Sequence, residues 1–305
     1  MDTPVITIVS VNWFSTDFLI PLLNHLAEKA AAPKQLTALI VDNTNGKDTA
    51  LSKLSECPIP CTILPCDSRA MKSSRAHAAA LDAAMPRIQT PYCLTVDPDV
   101  HVFKKHWDQF CIAVMKSAGA VAIGAPYPNW KIGKYHDFPS PVFCFFETGK
   151  LLDLKAPWTP FGKTRLYNFR IFLIRQFARL GGLITRRRYE RVPLFRMYAR
   201  TMERLFGTFS QDTGWQIAEA VRQTNRRAVV FSAAGTDTAE TTDFKNMASE
   251  YELYGFEGEP ILTHKYGTGV RLWKTPRGAD SRFWFDCIQQ AEQTDNNRPT
   301  GKRTP

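Results

Sequence analysis

The fold is decided at residues 5–11, VITIVSV, and by the pattern that follows them. This continuous, mostly β-branched run has the length and character of a buried strand. After it, Thr16 and Asp17 precede an apolar set at helical spacing, which consists of Phe18, Leu19, Leu22, Leu23 and Leu26. The stretch is therefore predicted to form a β-α unit.

The same alternation continues along the first half of the chain. Further strands are predicted at 36–41, 61–64, 92–96 and 120–123, with helices at 73–85 and 107–115. Repeated β-α units predict an α/β fold with a mostly parallel sheet and helices on both faces. Because ligands bind beyond the carboxyl ends of such strands, the polar residues there become candidates for a site, namely Asn12, Asp42, Asp97 and Asp99.

The second half is less regular. Beyond residue 125, frequent Pro and Trp surround a short predicted strand at 142–146. Later elements are predicted as a strand and two helices, at 228–232, 212–224 and 281–293. A loop is expected around His264. The tail at 294–305 is polar and has no apolar anchor, so it is predicted to be disordered.

The charge of the chain is concentrated in one segment. The formal net charge is +10, and residues 163–204 alone contain twelve basic and two acidic residues. The remainder is balanced, which argues against a general nucleic-acid coat. No apolar run is long enough to span a bilayer, and no signal peptide is recognised. Seven cysteines without a CxxC pair are typical of reduced thiols, so we expect a cytoplasmic protein.

The sharpest motif is Asp97-Pro98-Asp99, which directly follows the predicted strand at 92–96. Pro98 stops the strand and favours an extended backbone before it. Two carboxylates at this spacing can bind one Mg²⁺ or Mn²⁺ together with a substrate phosphate. The alternative is a solvated turn.

Two other residues stand at the ends of predicted elements. The carboxylate of Asp42 can accept from a base N–H or a ribose hydroxyl, or it can form an Asx turn with Asn43. Arg75 begins a predicted helix, where it can contact a phosphate or remain solvated.

A later motif, QDTGW at 211–215, offers a further carboxylate. Asp212 can be a general base or simply the N-cap of the following helix. Gly214 permits a close approach, and Trp215 can stack on a sugar or a base. Glu147 and Thr148 follow an apolar strand and either start a helix beside an acceptor or only cap that helix.

The stretch THKYGTGVR at 263–271 contains small, flexible and basic residues. His264 can complete a metal shell through a ring nitrogen, or it is a polar loop residue. Lys265 and Arg271 can contact phosphate.

These motifs, in this order, resemble the family 2 glycosyltransferases of the GT-A fold. The resemblance spans roughly 1–155 and 207–272. It rests on ITIVSVN at 6–12, VDN at 41–43, SRAH at 74–77, LTVDPD at 94–99, FFETG at 145–149 and QDTGW at 211–215. Two departures are Ala76-His77, where the family commonly has Asn-Gly, and Gln211, where it often has Glu.

The resemblance implies roles for the motif residues. Contacts to a nucleotide-sugar donor fall to Ser10, Asn12, Asp42, Arg75 and Asp97. A divalent metal, Mn²⁺ or Mg²⁺, would be bound by Asp97, Asp99 and His264. Asp212 would be the base of an inverting displacement, with Glu147 as the second candidate. Glu147, Thr148 and Trp215 would lie on the acceptor side, and Lys265 and Arg271 beside the phosphates.

The basic segment at 163–206 is predicted to be a helical insert. Turning roughly 100° per residue places Arg196, Arg200 and Arg204 on one arc, opposite an apolar arc of Leu194, Phe195, Tyr198, Met202 and Leu205. Such a basic amphipathic helix can bind anionic lipid. The alternatives are helices packed on the core with a solvated basic face, or RNA binding through residues 186–188.

We therefore predict one GT-A domain at 1–293, with the insert at 163–206 and the tail at 294–305. It would transfer a sugar, from a donor expected to be uridine-linked, to a hydroxyl of a cell-envelope glycan or glycolipid. Its expected place is the cytoplasm or the inner face of the cytoplasmic membrane, with nucleic acid not expected as a partner. The alternatives are a nucleotidyltransferase on a related sheet and a non-enzymatic membrane- or RNA-associated binding module.

Overall fold

The β-branched run near the amino terminus forms a central strand of the larger sheet. The computed structural model describes residues 3–66, 74–160, 164–235, 242–265 and 280–296. The strands are β1 Ile6–Asn12, β2 Leu36–Asp42, β3 Cys61–Pro65, β4 Tyr92–Val96, β5 Val100–Val102, β6 Ala120–Pro126, β7 Pro139–Glu147, β8 Arg227–Val230, β9 Ser232–Ala233, β10 Glu252–Phe256 and β11 Glu259–His264. The α-helices are α1 Thr16–Lys29, α2 Ser74–Ala84, α3 Trp107–Ala118, α4 Thr148–Leu152, α5 Arg165–Ala178, α6 Arg186–Arg191, α7 Pro193–Phe206, α8 Trp215–Gln223, α9 Thr242–Glu250 and α10 Ser281–Asn296.

The larger sheet has the strand order β3-β2-β1-β4-β7-β6-β8. Strands β3, β2, β1 and β4 are parallel to their neighbours, and β6 is parallel to β8. Strand β7 runs antiparallel to both β4 and β6. The predicted α/β class with a mostly parallel sheet is therefore confirmed, with one antiparallel strand inside it.

Helices cover both faces of this sheet, as predicted. The side chains of β1 alternate, so Ile6 and Ile8 pack in the cluster that contains α1 and α3. Val9 and Val11 pack on the other face, in the cluster that contains α2 and α8.

A smaller antiparallel sheet, with the order β5-β11-β10-β9, lies beside the carboxyl end of β4. Strand β5 begins at Val100, directly after the DPD motif, and pairs with β11. Helices α9 and α10 pack with β10 in a separate apolar cluster around Tyr251 and Trp284. This sheet brings distant parts of the chain to the DPD motif.

Several predicted boundaries are wrong. Residue 264 is the last residue of strand β11 rather than a loop residue. Helix α8 begins at Trp215, so Asp212 precedes it, and the N-cap is Gly214. Strand β7 is longer than the predicted 142–146. Helix α10 continues to Asn296, so residues 294–296 are helical, whereas 297–305 lie outside the described residues.

The basic insert consists of α5, α6 and α7, with a short 3₁₀ turn at Leu180–Gly182. Its inner side packs in a cluster with the loop before β7, through Trp130 and Ile132. Among the described helices, none has the length and apolar character required to cross a membrane.

Candidate functional site

The DPD motif lies at the carboxyl edge of the larger sheet, where ligands of open α/β sheets bind. Its position is fixed on both sides. The Asp97 N–H continues the strand pairing by donating to the Val142 carbonyl at 3.1 Å, and the Asp99 carbonyl accepts from the Lys265 N–H at 2.9 Å. Pro98 offers no N–H to extend the pairing.

Strand register brings His264 to this motif. The residue after Asp99, Val100, pairs directly with His264 across β5 and β11. His264 Nε2 lies 3.2 Å from Asp99 Oδ1 and 3.7 Å from Asp97 Oδ2. Ligand atoms of all three side chains lie within 4.8 Å of one another, so together they can hold one metal ion.

A buried acid stands behind His264. Glu252 is opposite His264 in the pairing of β10 with β11, and its Oε2 lies 3.0 Å from His264 Nδ1. Glu252 also accepts from Tyr254 Oη at 2.9 Å and pairs with Lys131 Nζ at 2.6 Å. A carboxylate on the far nitrogen of a ligating histidine fixes its ring and raises its basicity.

Negative charge converges on this imidazole. Burial lowers the pKa of His264, but Asp99 and Glu252 outweigh burial and raise it to about 10. The pKa of Asp97 is raised, because the effect of burial exceeds the opposite effect of His77 and His264, which lower it. Glu252 is balanced by Lys131, whereas the carboxylates of Asp97 and Asp99 share one imidazole nitrogen, and a divalent cation at this point would balance their charge. Carboxylate oxygens and an imidazole nitrogen are both common ligands of divalent metal ions.

The first turn of α2 links this cluster to a second carboxylate. His77 Nε2 lies 3.5 Å from Asp97 Oδ1. Three residues earlier, about one helical turn away, Ser74 hydrogen-bonds the Asp212 carboxylate, and its carbonyl accepts from Thr213 Oγ1 at 3.3 Å. Arg75 lies exposed in the same turn. The structure therefore brings Asp97 and Asp212 to the same helix terminus.

Asp212 is paired with a lysine that the sequence reasoning missed. Burial raises the pKa of Asp212, but Lys134, with which it forms an ion pair, outweighs burial, and the pKa falls to about 2. Lys134 also lines an open cleft of about 600 Å³ together with Trp215. The other lining residues are His136, Asp137, Glu203, Gly207, Thr208, Glu219 and Arg222. This polar cleft therefore lies against the ion pair.

The predicted donor contacts at the ends of β1 and β2 form a buried network instead. Ser10 is fully buried and donates to the Val96 carbonyl at 2.8 Å. Asn12, also fully buried, donates to Asp48 Oδ2 at 3.0 Å. Neither side chain reaches the surface, so both hold structural positions in this network, and their role in donor binding stays a prediction.

Asp42 adopts the Asx turn that was its alternative interpretation. Its carboxylate is buried and accepts from the Thr44 N–H at 2.9 Å and the Gly46 N–H at 2.8 Å. Burial raises its pKa, but these hydrogen bonds lower it further than burial raises it. Exposed aromatic groups at this edge include Trp13 and Phe14, whose rings meet edge to face. Two adjacent aromatics just after a predicted strand were the signal that could have identified them.

Glu147 and Thr148 do not lie where the acceptor-side prediction expected them. Strand β7 runs antiparallel to β4, so Glu147 pairs with Tyr92 at the amino end of that strand. The Thr148 N–H donates to the Pro91 carbonyl at the same edge. Asp97 follows the opposite end of β4. The structure therefore separates Glu147 and Thr148 from the metal cluster, and Glu147 is withdrawn as the second base.

Lys265 and Arg271 were both predicted to lie beside the donor phosphates, and the structure describes only the first of them. Lys265 is adjacent to the cluster, but its side chain is buried, with Nζ 5.7 Å from the centre of the Phe18 ring. Arg271 lies outside the described residues.

Comparison with known proteins gives likeness in structure alone. No protein-family model and no curated protein sequence matches the chain. The structure is similar to S. aureus TarS 1–349 in complex with UDP-GlcNAc, with 12% identity, a TM-score of 0.40 and 51% of this chain covered. The match covers 48% of that TarS chain, about half its length. It is also similar to the mannosyltransferase PcManGT from Pyrobaculum calidifontis in complex with GDP-Man and Mn²⁺, with 13% identity and a TM-score of 0.43, covering 74% of this chain and 76% of that one.

Proposed function

We propose that the protein is a metal-dependent glycosyltransferase of the family 2 type, which moves a sugar from a nucleotide-diphosphate donor to an acceptor hydroxyl. The observation that supports this most is the convergence of Asp97, Asp99 and His264 at the carboxyl edge of the sheet, with Glu252 behind the histidine. The motif order described from the sequence supports the same activity.

The donor site of this proposal lies around the DPD motif. Asp97, Asp99 and His264 would hold Mn²⁺ or Mg²⁺, which supplies Lewis-acid stabilisation of the diphosphate charge when bound. Arg75, exposed in the first turn of α2, is placed to contact a donor phosphate at this helix N-terminus. Trp13 and Phe14 offer exposed aromatic faces for the nucleotide base.

The acceptor site is assigned to the cleft beside Lys134. Asp212 takes the proton of the acceptor hydroxyl. The oxygen of that hydroxyl bonds to the anomeric carbon of the donor sugar as the bond from this carbon to the diphosphate breaks, so the configuration at the carbon is inverted. While Asp212 is paired with Lys134 its pKa of about 2 makes it a weak base. The proposal therefore requires that Lys134 leave Asp212 when the acceptor binds. The acceptor is a hydroxyl of an envelope glycan or glycolipid.

The Asp212→Asn variant separates donor binding from chemistry. It keeps the side-chain volume and removes the base, so we expect unchanged donor affinity and a transfer rate reduced by roughly 10²–10⁴-fold. Donor affinity is read by calorimetry and transfer by product formation. Transfer within twofold of wild type would remove Asp212 from its assigned role. The control is Asp153→Asn, because Asp153 is exposed after α4, at the opposite edge of the sheet.

A thermal-shift screen of nucleotide sugars, with and without Mn²⁺ or Mg²⁺, tests the function as a whole. A bound donor raises the melting temperature by mass action. We expect stabilisation that requires the cation and is lost in Asp99→Asn. The donor found in this way is then incubated with the protein and the products are identified. Release of a nucleoside diphosphate supports glycosyl transfer. A parallel incubation with a nucleoside triphosphate and a sugar phosphate that releases pyrophosphate would show a nucleotidyltransferase instead.

A further inference from the structure

Helix α5 of the insert exposes an apolar stripe. Four of its residues lie within an arc of ~80° around the helix axis, namely Leu166, Phe169, Leu173 and Phe177. Their exposed fractions are 79%, 58%, 51% and 62%. The stripe extends for about three turns, or ~16 Å. Soluble proteins rarely leave a contiguous apolar surface of this kind without a partner.

The stripe faces away from the rest of the protein. The buried residue of α5 is Ala178, and Ile174 packs beside it in the cluster with Trp130 and Ile132. Ala178 and Ile174 lie roughly 100° or more around the axis from the centre of the stripe. Helix α5 therefore uses one side for packing and leaves its largest apolar side chains on another. An ordinary amphipathic helix packed on a core has the reverse arrangement.

Helix α7 extends the same surface. Tyr198 Oη donates to the Phe177 carbonyl at 3.1 Å, so this side of α7 meets α5. Leu194 and Leu205 lie within ~40° of Tyr198 around the helix and are 63% and 67% exposed. We define the apolar insert surface by six residues, which are Leu166, Phe169, Leu173, Phe177, Leu194 and Leu205.

Exposed arginines accompany this surface on both helices. On α5, Arg165 and Arg170 are exposed on either flank of the stripe. On α7, Arg196, Arg200 and Arg204 form an exposed row on the polar face, roughly 80–180° around the axis from Leu194 and Leu205. An apolar face with cations on its flanks and on the opposite, polar face is the pattern of an amphipathic helix at the interface of an anionic bilayer, where acyl chains lie beneath charged head groups.

Two other arginines hold the insert to the body of the protein. Arg186 is buried, donates to the Tyr251 carbonyl at 2.7 Å and lies 4.2 Å from the centre of the Trp130 ring. Arg179 is also buried and donates to Ser210 Oγ at 3.1 Å. These residues are unavailable to lipid head groups, and they fix the insert so that the apolar surface stays outward.

We propose that the apolar insert surface, together with the exposed arginines of α5 and α7, binds the surface of an anionic lipid bilayer, with the six apolar side chains entering the head-group and acyl boundary. RNA is the less favoured occupant, because four of the six side chains are leucines, which offer neither hydrogen bonds nor stacking planes to bases, and only Phe169 and Phe177 are aromatic. The proposal is independent of the transferase activity.

Vesicle co-sedimentation of the full chain tests the apolar part. Wild type should bind vesicles that contain phosphatidylglycerol and should bind pure phosphatidylcholine vesicles much less. The double variant Phe169→Ser, Leu173→Ser should lose at least ~10-fold in affinity, because two apolar side chains no longer leave water. The matched control is Ile63→Ser, since Ile63 is exposed on β3, outside the insert. Each substituted side chain is exposed, and an unchanged melting temperature confirms that the variants fold.

A triple variant, Arg196→Gln, Arg200→Gln, Arg204→Gln, tests the charge. Its affinity for anionic vesicles should fall on the order of 100-fold at low salt, since each arginine near such a surface contributes about fivefold. Its control removes three exposed lysines elsewhere, at Lys34, Lys53 and Lys116, and should retain most of the affinity.

Three results would overturn the proposal. The first is wild-type binding to anionic vesicles that is no stronger than to phosphatidylcholine. The second is vesicle binding that both insert variants retain in full. The third is tight binding of single-stranded RNA by wild type, with no vesicle binding. Donor binding by the insert variants should equal wild type, so failure here is distinguishable from failure of the proposed activity.

Discussion

At the scale of single residues, the candidate metal site depends on an acid that does not itself face the cation. Glu252 lies 3.0 Å from the far nitrogen of His264 and is held by Lys131 and Tyr254. Such a partner orients the imidazole and favours its metal-binding form. Glu252 precedes His264 by twelve residues, and this spacing alone does not indicate a contact. The two residues meet because the register of β10 against β11 places them opposite each other.

The Glu252→Gln variant should weaken Mn²⁺ binding by roughly 10–100-fold, because the charge behind His264 is lost while the side-chain shape is kept. Titration calorimetry with Mn²⁺ measures it. Tyr254→Phe removes one hydrogen bond to Glu252 and keeps the charge, so it should cost clearly less affinity. Equal Mn²⁺ affinity in Glu252→Gln and wild type would show that Glu252 does not support the site. A melting temperature recorded for each variant separates local from global effects.

Gly214 is required for its backbone conformation and for the close approach of a neighbouring side chain. Its φ is +88°, and an added Cβ would lie 2.6 Å from Tyr135 Oη. Gly214→Ala should therefore lower the free energy of unfolding by ~1–3 kcal/mol, measured by chemical denaturation. Gly149→Ala is the matched control, because Gly149 lies in α4 with open space around its Cα, and the change should be neutral or slightly stabilising. Similar losses in both variants would contradict this reading.

At the scale of elements, the sequence was most informative where strands are buried on both faces. Strands β1, β2 and β4 carry continuous apolar runs, and they were predicted within one or two residues. The smaller sheet was missed. Strand β5 has three residues, β9 has two, and β11 ends in the polar sequence Thr263-His264. Short strands of this composition resemble loops until their partners are known.

The same limit explains the misplaced site residues. Asn12 and Asp42 were correctly placed at strand ends, and Ser10 inside a strand, but sequence alone does not show whether a polar side chain points to solvent or into a network. Glu147 is the last residue of β7, whose antiparallel direction is a property of the assembled sheet. In contrast, Asp97 and Asp99 were placed correctly at the carboxyl edge of the larger sheet, because Pro98 ends the strand that precedes them.

The buried guanidinium of Arg186 is one of the groups that attach the insert to the body of the protein. Arg186→Met would leave the Tyr251 and Ala248 carbonyls without this donor, so we expect a loss of about 1–3 kcal/mol in unfolding free energy and faster proteolysis within 164–206. Arg187→Met changes the adjacent, exposed arginine and should leave both measurements unchanged. Proteolysis of Arg186→Met at the wild-type rate would show that the attachment lies elsewhere.

At the scale of the whole molecule, three parts of the chain converge on the candidate metal site. The larger sheet supplies Asp97, the smaller sheet supplies His264 and Glu252, and the loop before β7 supplies Lys131. The insert joins this group, because Arg186 contacts both Trp130 and the residue before Glu252. The site is therefore a product of the assembled fold, and the basic insert is a separate surface attached close to it.

The most direct test of the central claim is a calorimetric titration of uridine diphosphate into the full chain, in Mn²⁺ and in a chelator. We expect that the affinity measured in Mn²⁺ falls at least ~10-fold in the chelator and in Asp99→Asn, while Asp153→Asn behaves as wild type. Equal affinity with and without the cation, or full affinity in Asp99→Asn, would contradict the assignment of Asp97, Asp99 and His264 as a metal-dependent donor site.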